Sequence, residues 1–238
     1  LQTKSIAIAG IGNVTLKKSP RAKYVSLAVK SGEGVVVTIP TRVSYEIAEQ
    51  FARSKTDWIK QHLEKMKKAG FAPIIFDEHT DFKTFKHKLV LLKHAESSLK
   101  FTLGGGLLKI FYPELVDVKS TKIQKSIKAI IDYTLRDEAI KHLPRRLDEL
   151  SSKTNIPYNR LFIKNIKTRW GSCSARNNIN LNIHLMRLPE HLIDYVILHE
   201  LAHVVEKNHG KKFWQALDMI TGGAKKFDKE LKNYRINY

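Results

Sequence analysis

The sequence predicts an α+β protein: a β-rich basic region over residues 1–120, then a region over 121–238 built around a helix with the pattern H-E-x-x-H. Three observations carry this. β-Branched runs crowd the first half, apolar residues recur at helical spacing after Pro113, and LHELAHVVEKNHG at 198–210 sets a glutamate beside one of three histidines. The chain's 238 residues, 42% of them hydrophobic, suffice for one large core or two modest ones.

No apolar run reaches the roughly 18–20 residues that a membrane span needs. SIAIAGIGNV near the start is short, broken by glycine and without a secretory cleavage pattern. The expectation is a soluble, cytoplasmic chain with no membrane partner. Cys173 is the only cysteine, so the sequence holds no intramolecular disulfide and no cysteine-rich zinc knuckle, which fits a reducing compartment. The net charge of +19 is uneven: residues 1–70 carry 13 Lys and Arg against 5 Asp and Glu, 71–121 carry 7 against 6, and 122–238 carry 22 against 12. Two basic ends allow nucleic acid or a nucleotide as partner, or serve solubility alone.

AKYVSLAVKSGEGVVVTIP at 22–40 reads as a hairpin of two strands around Ser-Gly-Glu-Gly. Ser44 then offers an N-cap to a helix with Ile47, Phe51, Trp58, Ile59 and Leu63 on its apolar stripe, ended by Gly70. Residues 82–112 read as short strands with a turn at Gly104–Gly106. Beyond Pro113 a helix carries Ile123, Ile127, Ile130, Ile131 and Leu135, with Leu147 and Leu150 after Pro144, where the proline is expected to kink or restart it. RLFIKNIKT and NINLNIHL are strand-like pieces joined through RWGSCSARN. Alternation puts Ile179, Leu181, Ile183 and Leu185 on one face and Asn180, Asn182 and His184 on the other.

Pro189 and Glu190 start the next helix, with Leu192, Ile193, Val196, Ile197 and Leu201 as core stripe. His199 and His203, four apart, project from one face and can share a divalent ion, with Glu200 about 100° further round. There a carboxylate can take a proton from the attacking water without ligating the metal. A catalytic zinc needs a third protein ligand and an open position. His209 is the choice: the helix is expected to end near Lys207 and Asn208, with Asn208 left-handed and Gly210 freeing the backbone, before KKFWQALDMITGG forms another helix. His184 and His191 are reserve ligands. The remaining histidines His62, His79, His87, His94 and His142 read as ordinary surface or core residues.

RWGSCS at 169–174 has two readings. Arg169 and Trp170 could line a substrate cleft; alternatively Trp170 anchors the core, Gly171 makes a tight turn and Arg169 partners a buried carboxylate. Cys173 reads as a small buried residue in preference to a nucleophile, since no free base accompanies it.

RWGSCS, NINLNIHLMRLPEHLIDYVILHELAH and NHGKKFW, with RAKYVSLAVKSGEGVVVTIP and EQFARSKTDWIKQHL upstream, together resemble the YgjP-like family of zinc metallopeptidases, related to the SprT and WLM zincins. The resemblance covers most of the chain; 71–112 is its least similar part. It implies a zincin-like domain with zinc on His199, His203 and His209 and Glu200 as general base, the residues that spacing also selects. Glu206 stands where metzincins carry a turn glycine, which favours the compact zincin class.

The function expected is zinc-dependent hydrolysis of a peptide or protein. Two alternatives keep the metal: hydrolysis of nucleotide phosphoanhydrides, and a nucleic-acid-associated zincin acting on DNA- or RNA-bound proteins, as the SprT resemblance suggests.

Overall fold

Strict alternation in two valine-rich runs builds the first sheet. Val14 and Leu16, then Val35, Val37 and Ile39, turn inward at every second residue and are buried. The structure, a computed structural model, describes residues 3–30, 34–68, 74–236 and 238. Contacts group the chain into two compact units that meet between Ile74 and Ile75.

In the first unit, β1 (Thr3–Ile8), β2 (Gly12–Ser19), β3 (Ser26–Lys30) and β4 (Gly34–Pro40) form a sheet of order β1-β2-β4-β3. The expected hairpin is β3 and β4, paired antiparallel; Ser31, Gly32 and Glu33 of its turn lie outside the described residues. β1 and β2 were not foreseen. Their alternation is interrupted by a turn in which Gly10 and Gly12 take φ of 75° and 91°, conformations open to glycine and strained for other residues.

Ser44 caps α1 (Tyr45–Ser54) as expected, accepting from the Ile47 amide at 3.4 Å. The helix breaks at Lys55 and resumes as α2 (Thr56–Lys68); Gly70, its expected end, lies outside the described residues. The buried face nevertheless keeps its helical spacing across the break. Ala48, Ala52 and Ile59 form the buried stripe, while Ile47 and Trp58, expected inside, are 52% and 38% exposed.

The second unit opens with β5 (Lys88–His94), β6 (Lys100–Gly104) and β7 (Leu107–Pro113), in the order β5-β7-β6. Gly105 and Gly106 make the expected turn between β6 and β7. α3 then runs unbroken from Thr121 to Thr154, so Pro144 does not restart it. The carbonyl that the proline leaves without a donor belongs to Ile140, which is 54% exposed, where water can satisfy it.

Two buried polar side chains of α3 tie the preceding segment to it. The Gln124 amide accepts from Phe76 N at 2.9 Å and donates to Phe76 O at 2.7 Å. The Glu138 carboxylate, 1% exposed, accepts from the Thr84 hydroxyl at 2.6 Å and from the amides of Phe85 and Lys86, with His87 Nδ1 2.6 Å away. Residues 75–120 therefore group with the helical region, whereas the sequence placed the division near residue 120.

β8 (Leu161–Lys164), β9 (Gly171–Cys173) and β10 (Ile179–Asn182) form a sheet of order β8-β10-β9, with β9 at an edge. The strand stops at Asn182, and Ile183–Arg187 is a 3-10 turn, so the expected alternation does not continue to Leu185. Asn182 and His184, expected on the polar face, are 0% and 5% exposed. The reason at Asn182 is local: its amide donates to the carbonyls of Ile166 and Arg169 at 2.5 and 2.8 Å and holds the loop leading into β9.

α4 (Glu190–Val205) buries all five residues of its expected stripe. Arg146 of α3 reaches it through a two-toothed ion pair with Asp194, both contacts 2.6 Å. α5 (Lys211–Thr221) and α6 (Ala224–Leu231) follow. Among the described residues no helix is long and apolar enough to cross a membrane.

Candidate metal centre

His199 and His203 stand one turn apart on α4, as their spacing requires. The helix ends at Val205, earlier than expected, because Glu206 is extended (φ −131°, ψ 112°). Among the described non-glycine residues only Asn155 and Asn177 have positive φ, so the left-handed turn expected at Asn208 is not used. Gly210, at φ −76° and ψ −175°, has an ordinary extended backbone. The chain nonetheless returns His209 to the helix. His209 Nε2 lies 3.0 Å from His199 Nε2 and 3.2 Å from His203 Nε2, and a ligand nitrogen from each of the three fits within a 4.8 Å span.

Several contacts hold these rings. The Glu206 carbonyl, which can only accept, lies 3.1 Å from His203 Nδ1; that nitrogen carries the proton and leaves Nε2 free as a donor atom. Buried Phe213 packs its ring 5.0, 4.4 and 4.6 Å from the rings of His199, His203 and His209. Lys207 Nζ donates to Asn177 Oδ1 at 2.5 Å and to the Ser174 carbonyl at 3.2 Å, fastening the turn before His209 to the loop after β9. Burial, followed by the neighbouring imidazoles, holds His199 down to about 4, and burial lowers His203 too. Neutral imidazoles are the ligating form.

Glu200 is 5% exposed, and burial pushes its carboxyl up to about 8 against the pull of Arg169's charge and the Cys173 amide. Its Oε2 is buried with no hydrogen-bond partner among the described residues. The strand beside it explains Gly171. A Cβ there would meet Glu200 Cγ and Oε1 at 2.7 Å, so this glycine opens β9 to leave room for the carboxylate and does not make the expected tight turn. Arg169 and Trp170 line a cavity of about 230 Å³ together with His199 and Glu200.

The three imidazole nitrogens converge, two of the separations being 3.0 and 3.2 Å, and an orphaned carboxylate oxygen lies on the residue after His199. Both observations fit a divalent metal held by the three imidazoles with a water near Glu200. His184 and His191 are not part of this group: His184 Nε2 lies 3.2 Å from Asn165 Oδ1, and His191 Nε2 lies 2.7 Å from Glu230 Oε1. Burial, the larger influence, raises the Cys173 thiol's pKa, which keeps it protonated and a poor nucleophile.

A family model described as YgjP-like, metallopeptidase domain, matches residues 23–234. The chain belongs to the YgjP-like family. As a YgjP-like metallopeptidase it is a metal-dependent hydrolase of peptides or proteins, and the family implies a divalent metal, for which His199, His203 and His209 supply a donor set. Similar solved structures include two metallopeptidase zymogens. Abylysin of Pyrococcus abyssi matches at 22% identity and a TM-score of 0.34, covering 37% of this chain and 91% of that one. Jannalysin of Methanocaldococcus jannaschii matches at 27% identity and a TM-score of 0.34, covering 37% of this chain and 92% of that one. No curated protein matches the YgjP-like chain.

Three residues of this YgjP-like site were not legible as site residues. Asn182 and Lys207 act through backbone carbonyls that no spacing rule identifies, and Gly171 matters for an atom it lacks.

Proposed function

We propose that this protein is a zinc metallopeptidase in which His199, His203 and His209 hold the ion and Glu200 is the general base. The observation that carries the reading is three converging imidazole nitrogens beside a buried carboxylate with an unpartnered oxygen. The separations of 3.0 and 3.2 Å support zinc: bonds of about 2.0–2.1 Å in a tetrahedral site put ligand nitrogens about 3.3 Å apart. Bound there, zinc would supply Lewis acidity to the scissile carbonyl and the attacking water. Glu200 takes the proton of that water and returns it to the leaving amine. β9 offers a sheet edge along which an extended peptide can lie, with Arg169 and Trp170 beside it.

These residues all fall within 121–238, which we take as the hydrolase region. A cytoplasmic location is proposed from the single cysteine. The nucleotide alternative draws on the net charge of +19, and the nucleic-acid alternative on that charge and the SprT resemblance.

Purified protein is expected to carry about one equivalent of zinc and to cleave casein or a mixed peptide library. Chelator should stop cleavage and added zinc restore it. A protein that binds no zinc, or that hydrolyses nucleoside triphosphates and no peptide, contradicts the proposal. A second expectation concerns Gly171→Ala. The new methyl group displaces Glu200, and turnover should drop roughly 10²-fold, with metal content retained. Unchanged turnover would mean that the observed position of Glu200 is not the working one.

A further inference from the structure

The cavity beside Glu200 has walls not yet accounted for: Tyr195, Val196, Asp228 and Leu231. We propose that it receives the substrate side chain flanking the scissile bond, and that Trp170, Tyr195, Val196 and Leu231 select a large apolar residue there. This rests on the peptidase reading above.

Position comes first. Glu200 and His199 form part of the same wall, so whatever enters lies against the reacting atoms. Size follows. At about 230 Å³ the cavity falls short of the roughly 300–1,000 Å³ of sites that take whole small molecules, and it suits one side chain.

The wall chemistry then chooses which side chain. Val196 and Tyr195 are 3% and 2% exposed. The Tyr195 hydroxyl is itself buried and unpartnered, so Tyr195 presents its ring to the cavity and not its oxygen. Two charged groups lie at the wall, and each is already neutralised or solvated. The Asp228 carboxylate is paired with Lys232 Nζ at 2.6 Å, and Arg169 is exposed, where water solvates its charge. A charged substrate side chain would compete with the Asp228–Lys232 pair or with water at Arg169 and leave the apolar walls unfilled. An apolar one removes its own surface and theirs from water.

Leu231 is the wall residue best suited to change, because it is only partly buried at the end of α6. The test uses the zinc-loaded full chain and peptides varied on both sides of the scissile bond. The wild type should favour Leu, Phe or Met over Ala on one side only, by about tenfold or more in kcat/KM. Leu231→Phe narrows the cavity and should lower the large-to-small ratio about tenfold. Leu231→Ala should move the preference toward the bulkiest residues.

Ratios measured within one preparation do not depend on how much of it is folded. No apolar preference in the wild type, an acidic preference, or ratios unmoved in both variants each overturn the proposal and leave the peptidase reading standing. Zinc-loaded wild type that cuts no peptide overturns both.

Discussion

Glu200→Gln is expected to lower peptide hydrolysis by about 10²–10⁴-fold while the metal content stays the same. Glutamine keeps the volume that the Gly171 backbone is shaped to admit, so the side chain need not move. What disappears is the ability to take up a proton. Parallel measurement of kcat and bound zinc checks this. Zinc lost along with activity would make Glu200 a ligand, and activity kept would require another base.

His203→Ala is expected to strip most of the metal and with it nearly all activity. The substitution removes one of three converging nitrogens together with the contact to the Glu206 carbonyl that sets its tautomer. It also removes a ring stacked on Phe213. A site reduced to two imidazoles no longer provides the three protein ligands that a catalytic zinc needs. Elemental analysis of protein prepared without chelator is the measurement. His184→Ala serves as control and should retain the ion, because that ring is engaged with Asn165. Equal zinc in wild type and His203→Ala would remove the three-histidine site.

The three histidines were legible because helical periodicity alone puts residues 199 and 203 on one face, and the apolar stripe of α4 fixes which face is buried. That His209 returns to the pair was legible, yet the route was not: the turn relies on an extended Glu206 and on Lys207 reaching to Asn177, a contact between residues 30 apart. Local conformational preference carries no trace of such a contact. The first unit shows the same limit. Two glycines concealed the hairpin of β1 and β2, and the buried stripe runs through Ala48, Ala52 and Ile59, one position round from Ile47 and Trp58. Residues 71–112 looked least like the family, and nothing in their pattern announces that Thr84, Phe85 and Lys86 bond a carboxylate on α3.

That carboxylate sets a practical limit on trimming the molecule. A fragment begun at residue 121 would keep every histidine of the candidate centre, but it would strip Glu138 of the hydroxyl and two amides that bond it and Gln124 of both its bonds to Phe76. Two polar groups made for the interior would lose these partners on a helix that also packs against α4. The shortest piece that keeps these bonds starts at residue 75, so a truncated catalytic version has to carry the β5–β7 sheet with it.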